Sequence, residues 1–247
     1  KRMWIRRAAL AVSSVAAMVC LVFGSISYIR YIDRTQVSYL EASTSFGERK
    51  EVQLPDGTTL ILNSCSRVHY PDRFTGKELR IELEGEGYFR VYHNEKQPFV
   101  VDTRHFDVRV LGTCFNIKSY SSDEVVSVDV ESGKVQVDLP EAMMRLRAKE
   151  QVLINTVSGE YNKRREERTM AVWRKGNLRF NSTPIHDVAK ELERMYNCRI
   201  TFAEGQNFDN LISGEHDNKS LDAVLQAVEY TSGIHYKRMG NMIQLYK

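Results

Sequence analysis

From Ala8 to Ile29 the chain reads AALAVSSVAAMVCLVFGSISYI, with no charge and no proline. A helix over that run, rising 1.5 Å per residue, is long enough to cross the roughly 30 Å hydrocarbon core of a bilayer. A secretory signal peptide shares the basic start and the apolar run. This run is long for a signal h-region, however, and SISYIRYIDR behind it offers no small-residue cleavage site. Lys1, Arg2, Arg6 and Arg7 flank its N-terminal end, while Arg30, Asp33 and Arg34 sum to a single positive charge on the other. That asymmetry predicts a cytoplasmic N-terminus, with Trp4 on one side and Tyr28 and Tyr31 on the other as interfacial aromatics. Residues 1–34 therefore read as a basic flank and a single transmembrane helix, and residues 35–247 as lying outside the cytoplasm. A chain that begins at Lys1 suggests a further cytoplasmic segment before it.

With 247 residues, 42% of them hydrophobic, the chain can bury sizeable cores and has the length of about two domains. Of its 35 basic residues four lie in the first seven; the remaining 31 face 32 acidic ones. A body so close to neutral lacks the phosphate-neutralising face that nucleic-acid binding requires. Cys20 falls in the apolar run. Cys65, Cys114 and Cys198 match neither paired CxxC units nor a zinc site, although one bridge among them is allowed. The six histidines show no metal-ligand spacing, there is no phosphate loop, and Gly85-Glu86-Gly87 is a lone GxG. No cofactor, metal site or turnover chemistry is expected.

Residues 35–45 are polar and read as a juxtamembrane linker. Beyond them the hydrophobic period becomes two. Leu79, Ile81 and Leu83 alternate with Arg80 and Glu82, Val126, Val128 and Val130 with Ser127 and Asp129, and Val135 and Val137 flank Gln136. Turn signals such as Pro55-Asp56-Gly57 and Ser132-Gly133 punctuate these runs. The pattern predicts an all-β domain over 46–160, either a sandwich or a solenoid-like stack. The stretch VQLPDGTTLILNSCSRVHYPD, Val52 to Asp72, gathers a cysteine, a histidine and acids, the residue types of a cysteine hydrolase. It lacks the glycine-rich elbow such a nucleophile needs and reads as a hairpin followed by a third strand. Glu82, Glu84 and Glu86 read as a solvated row on one strand face.

Residues 161–172, containing KRREER, read as a charged, solvated connector. From 173 to 247 the pattern is α+β. A strand at Asn177–Phe180 leads to a helix with Thr183 as cap and Pro184 at its first position, whose apolar face is Ile185, Val188, Ala189, Leu192 and Met195. A strand follows at Arg199–Phe202. Ser220 caps a second helix with Leu221, Val224, Leu225 and Val228 on one face, before strands at Ile234–Lys237 and Met242–Tyr246. The helices superpose at an offset of 36 residues, which suggests a small βαβ-βαβ domain of two weakly repeated halves.

The strings ERKEVQLPDGTTLILNSCSRVHYP, LEGEGYFRVYHNEKQPFVV, VRVLGTCFNIKSY and VSVDVESGKVQV resemble the periplasmic domain of FecR-type anti-sigma factors. WRKGNLRFNSTPIHDVAKELERMYNCRITF and SGEHDNKSLDAVLQAVEY are similar to the C-terminal domain that accompanies it, which looks like the short signalling domain of secretins and TonB-dependent transporters. The resemblance implies a single-pass inner-membrane protein with a periplasmic body. It would pass ligand occupancy of a TonB-dependent outer-membrane transporter, sensed through that transporter's signalling domain, to an extracytoplasmic-function sigma factor held by a cytoplasmic domain before Lys1. A small αβ domain accepts a partner strand at an exposed edge; Leu211, Ile212, Ser213, Gly214 and Glu215 form the candidate edge, with internal pairing of that segment as the alternative. The resemblance further implies self-cleavage between Gly112 and Thr113, where an N-to-O acyl shift onto the threonine hydroxyl gives a hydrolysable ester. The competing function class is a membrane-anchored protein that binds periplasmic polysaccharide or cell wall without signalling.

Overall fold

The computed structural model describes residues 18–28, 37–165, 167, 169–217 and 220–247. Residues 18–28, part of the apolar run, are helical and exposed. Residues 8–17 and Ile29, and the anchors Trp4 and Tyr31, lie outside the described residues. Among the described residues no helix is long and apolar enough to cross a membrane. Tyr39–Lys247 form one compact unit that contains two apolar clusters.

The first cluster belongs to a β body of thirteen strands: β1 (Tyr39–Ser43), β2 (Lys50–Gln53), β3 (Thr59–Leu62), β4 (Arg67–Pro71), β5 (Leu79–Arg90), β6 (Phe99–Asp102), β7 (Asp107–Val110), β8 (Cys114–Ser119), β9 (Val125–Ser132), β10 (Lys134–Asp138), β11 (Met143–Arg147), β12 (Glu150–Asn155) and β13 (Tyr161–Arg165). The twelve-residue β5 organises it. Its first half pairs with β4 antiparallel and β6 parallel, and its second half pairs antiparallel with β3 and β8. Gly85 stands at the changeover with φ +105°, where an added Cβ would lie 2.8 Å from Ser66 Cα. Only glycine fits that corner. One arm continues through β7, β10 and β11, the other through β9, β12 and β13.

Both arms fill one core. Phe89 stacks on Phe115 with centroids 5.0 Å apart and tilts against Phe99 at 6.3 Å. Neither the sandwich nor the solenoid stack expected from the strand spacing is therefore correct. The body is a single curled sheet, a half-barrel, because one strand is long enough to serve both arms. Val52–Asp72 is the expected hairpin and third strand: β2 and β3 pair across a turn held by Gly57 N–H to Leu54 O (3.0 Å), and β4 joins β5. Cys65 sits in a turn at φ 54°, and His69 leans on Glu82 at 3.6 Å and on the Tyr39 ring. Cys65, Cys114 and Cys198 are all free thiols.

The connector corrects a second expectation. Tyr161–Arg165, placed in a solvated linker, is an edge strand paired antiparallel with β12. Its long basic side chains leave the backbone free to complete the ladder, and charge at an edge discourages further pairing.

A single 3₁₀ turn, Val172–Lys175, leads into the C-terminal lobe: β14 (Leu178–Pro184), α1 (Ile185–Tyr196), β15 (Arg199–Phe202), β16 (Leu211–His216), α2 (Leu221–Ser232), β17 (His235–Met239) and β18 (Met242–Tyr246). The apolar faces of α1 and α2 pack into the second cluster with Phe180, Ile212 and Ile243. Ser220 Oγ accepts the Ala223 N–H at 3.2 Å, the cap expected from sequence. Thr183 does not cap α1. It stays in β14 opposite Ile212 and its hydroxyl accepts the Asn181 N–H at 3.1 Å, so Pro184 is the residue before the helix and no side chain caps it. The two βαβ halves also need correction. β14 pairs antiparallel with β16 in one sheet, while β15 lies parallel to β18, and β18 antiparallel to β17, in another. The strands flanking each helix thus fall in different sheets.

Candidate functional site

Helix α1 packs two stripes of side chains, one apolar and buried, the other buried at Asp187 and Arg194 and half-buried between them. The apolar one faces its own sheets. The other, Asp187, Lys190, Glu191 and Arg194, recurs at i, i+3, i+4 and i+7 and therefore shares one flank of the helix. That flank lies on the β body and meets it group by group. Asp187, 1% exposed, accepts the backbone N–H groups of Glu124 and Val125 at 3.1 Å each. Lys190 donates to the Ser122 carbonyl and reaches Asp187 Oδ1 at 3.2 Å. Lys118 Nζ lies 2.7 Å from Glu191 Oε2. Arg194 forms a bidentate pair with Asp123, Nη1 to Oδ1 at 2.8 Å and Nη2 to Oδ2 at 3.0 Å.

Asp187, Asp123 and Arg194 are out of water, so their pairing is what makes these charges tolerable. The Asp123 side chain is 0% exposed and that of Arg194 11%. Burial is the largest influence on Arg194 and would lower its pKa, but Asp123, Tyr120 and Glu191 together outweigh it, so the guanidinium is held above its ordinary value. The same competition, with Glu191 and Asp123 outweighing burial, raises Lys118. The Arg194 guanidinium also lies 3.8 Å from the centre of the Tyr120 ring.

Beneath the ion pairs runs a chain of hydrogen bonds that ends on a buried carboxyl group. Trp173, in the turn entering the lobe, donates Nε1–H to Asn116 Oδ1 at 3.2 Å. Asn116 and Asn63 each donate an amide N–H to Glu86, at 3.0 and 2.8 Å. Glu86 was expected on a solvated row with Glu82 and Glu84. Those two are exposed, but Glu86 is 6% exposed because the C-terminal lobe covers this end of β5. Burial is the largest influence on Glu86 and raises its pKa against the pull of Lys118 and the two amides. A cleft of about 850 Å³ opens beside the seam, lined among others by Asp129, Gln151, Trp173, Asn177 and Arg179.

The residues singled out from sequence lie elsewhere. Gly112 and Thr113 form the corner between β7 and β8. Gly112 has φ +145°, and an added Cβ would run into His93. Thr113, 4% exposed, donates its hydroxyl to Lys134 O at 2.9 Å. Leu211–Glu215 fall within β16, paired with β14 on one side, and Leu211 is 63% exposed. Among the described residues no group of three or more His, Cys, Asp or Glu side chains gathers as metal ligands would. The seam's chemistry is adhesion between two lobes. The polar stripe of α1 was readable as a pattern, but not its partners, which lie more than sixty residues away.

Comparison with known proteins gives two family matches: the model described as FecR protein over residues 41–136, and that described as FecR, C-terminal, over residues 177–245. Two crystal structures, each of a "putative anti-sigma factor from Parabacteroides distasonis ATCC 8503", at 2.50 and 1.65 Å resolution, are similar to this chain. Their TM-scores are 0.83 and 0.82 at 46% and 47% identity, covering 85% and 84% of this chain and 99% of each of theirs. No curated protein matches the sequence.

Asp129 offers a test of how dry this region is. Burial pushes its carboxyl up to about 6 despite hydrogen bonds from Ser127 and Gln151. An acid whose pKa is raised on folding contributes stability that is complete below the unfolded value near 3.9 and is lost as pH rises through about 6. In urea titrations at pH 4 and pH 8, Asp129→Asn is expected to lose less stability over that interval than the parent protein, by on the order of 2 kcal/mol. Equal losses in both proteins would contradict a buried, reluctantly ionised carboxyl.

Proposed function

Because the chain belongs to the FecR family of anti-sigma factors, we propose that it relays the occupancy of a TonB-dependent outer-membrane transporter to an extracytoplasmic-function sigma factor. The charge-free run Ala8–Ile29 serves as a single inner-membrane span, with the basic N-terminal flank in the cytoplasm and residues 35–247 in the periplasm. The sigma factor is bound by a cytoplasmic segment preceding the span. The transporter's signalling domain is met by the C-terminal lobe. The observation that carries this proposal is the order of parts along one chain: an apolar run, then a FecR body, then the FecR C-terminal domain docked on that body through α1.

The transporter docks at β16. Among the described residues β16 pairs with β14 alone, in a sheet of two strands, which leaves a flank from Leu211 to Glu215 for main-chain pairing with a partner strand. Self-processing occurs at Gly112-Thr113. The Thr113 hydroxyl attacks the Gly112 carbonyl carbon, the amide C–N bond breaks to leave an ester and a free Thr113 amine, and water hydrolyses the ester. Two glycines support the corner's suitability. Gly112 adopts a backbone form that side-chain-bearing residues rarely take, and a Cβ on Gly133 would sit 2.8 Å from Thr113 Oγ and 3.1 Å from the Gly112 carbonyl oxygen.

In a pull-down of residues 35–247 against the signalling domains of the host's TonB-dependent transporters, one domain and not its paralogues is expected to be retained. The double change Leu211→Lys and Glu215→Lys is expected to weaken that capture about tenfold or more. Retention of no domain would overturn the relay, and unaltered capture by the double variant would remove β16 as the docking edge. Thr113→Ala is expected to leave a single full-length band on denaturing gels where the parent chain gives two fragments; matching fragments from both would end the acyl-shift mechanism.

A further inference from the structure

The buried groups of α1 do more than hold two lobes together. At its C-terminal end α1 reaches the segment through which the chain enters the β body. The Gly47 N–H donates to the Arg194 carbonyl at 2.9 Å. Gly47 has φ +68°, and a Cβ there would approach Met195 O to 3.0 Å, so the turn after β1 lies directly against the helix terminus.

A second route joins the same two places through side chains. Arg194 lies over the Tyr120 ring, and the Tyr120 hydroxyl donates to Ser64 O at 2.7 Å and lies 3.2 Å from Ser66 Oγ. That turn grips the end of β1. Thr44 N–H donates to Ser66 O at 2.9 Å, Ser66 N–H donates to Thr44 Oγ at 2.9 Å, and Thr44 Oγ–H donates to Asn63 O. Strand β1 itself has little else. Among the described residues it pairs only with β4, and Ala42 is its one buried residue. An edge strand so poor in apolar burial draws its order from its neighbours.

We propose that the seam between α1 and the β body is a latch on strand β1: when α1 is drawn off Asp123, the Ser45–Gly47 turn and β1 loosen with it. The element with two arrangements is the docked or undocked helix, and both ends of the coupling touch it, which is the physical requirement for communication between sites. The latch deepens the relay proposed above and takes from it only the identity of the partner that would pull on the lobe. It places the signal's first effect at the residues nearest the apolar run rather than at the Gly112-Thr113 corner.

Hydrogen exchange on the full chain in detergent micelles tests the latch without any transporter, so a failed pull-down and a failed latch are separate results. Asp123→Asn keeps the shape of the acid while removing the charge that holds Arg194. It is expected to speed amide exchange in α1 and in residues 39–48 together, by about tenfold, with β6 and α2 unchanged. Faster exchange in α1 with residues 39–48 at the parent rate would overturn the proposal, as would no change in either. Should Asp123→Asn loosen the whole body, Tyr120→Phe is the deciding variant, since it removes the hydroxyl that links the Arg194 contact to Ser64 without touching a charge or the 39–48 segment itself. It is expected to speed exchange in residues 39–48 while β6 keeps its parent rate; parent-rate exchange in 39–48 would overturn the latch.

Discussion

The bidentate contact between Asp123 and Arg194 ties the β body to the C-terminal lobe, and neither partner could stay buried alone. A carboxylate with no exposed side-chain surface is stable only with a cation and donors at hand. The body supplies the acid, the helix supplies the base, and each lobe thereby carries a charge whose burial requires the other. Lys118 with Glu191, and Asp187 with the amides of Glu124 and Val125, repeat that dependence along the same flank of α1. The seam is polar where a permanent domain core would be apolar. Such a surface specifies one docked arrangement and still permits water to take over its groups when the lobes part.

The body that receives the helix is shaped by one strand. β5 hands its pairing from one arm of the sheet to the other at Gly85, and that changeover brings Phe89, Phe99 and Phe115 into a common core. It also aims Glu86 and, on the adjacent β8, Asn116 and Lys118 at the lobe rather than at solvent. Fold and site are therefore linked: the corner that closes the half-barrel also builds the floor of the seam.

Local chemistry made much of this legible in the sequence. The alternation of Leu79, Ile81 and Leu83 marks a strand because successive side chains face opposite sides, and Ser220 marks a helix start because its hydroxyl can satisfy a free N–H. What stayed hidden depended on distant partners. Glu86 looks solvated beside Glu82 and Glu84 until a helix more than a hundred residues later covers it. KRREER looks like a linker because charge says nothing about whether the backbone beneath completes a ladder. Thr183-Pro184 has the composition of a helix entry, but ladder pairing with β16 uses those residues first. The polar stripe at Asp187, Lys190, Glu191 and Arg194 stayed hidden for the same reason, since charges of alternating sign on one flank of a helix read as a solvated face until their partners on the β body are known.

The most direct measurement is a double-mutant cycle on the seam's central pair, with Asp123→Asn, Arg194→Gln and both changes together followed by urea unfolding. If the two lobes depend on this contact, the single variants are each destabilised and the pair shows a coupling energy of about 1.5 kcal/mol or more. Additive effects, with coupling within about 0.5 kcal/mol of zero, would mean that the lobes adhere for other reasons and that the ionic seam is incidental.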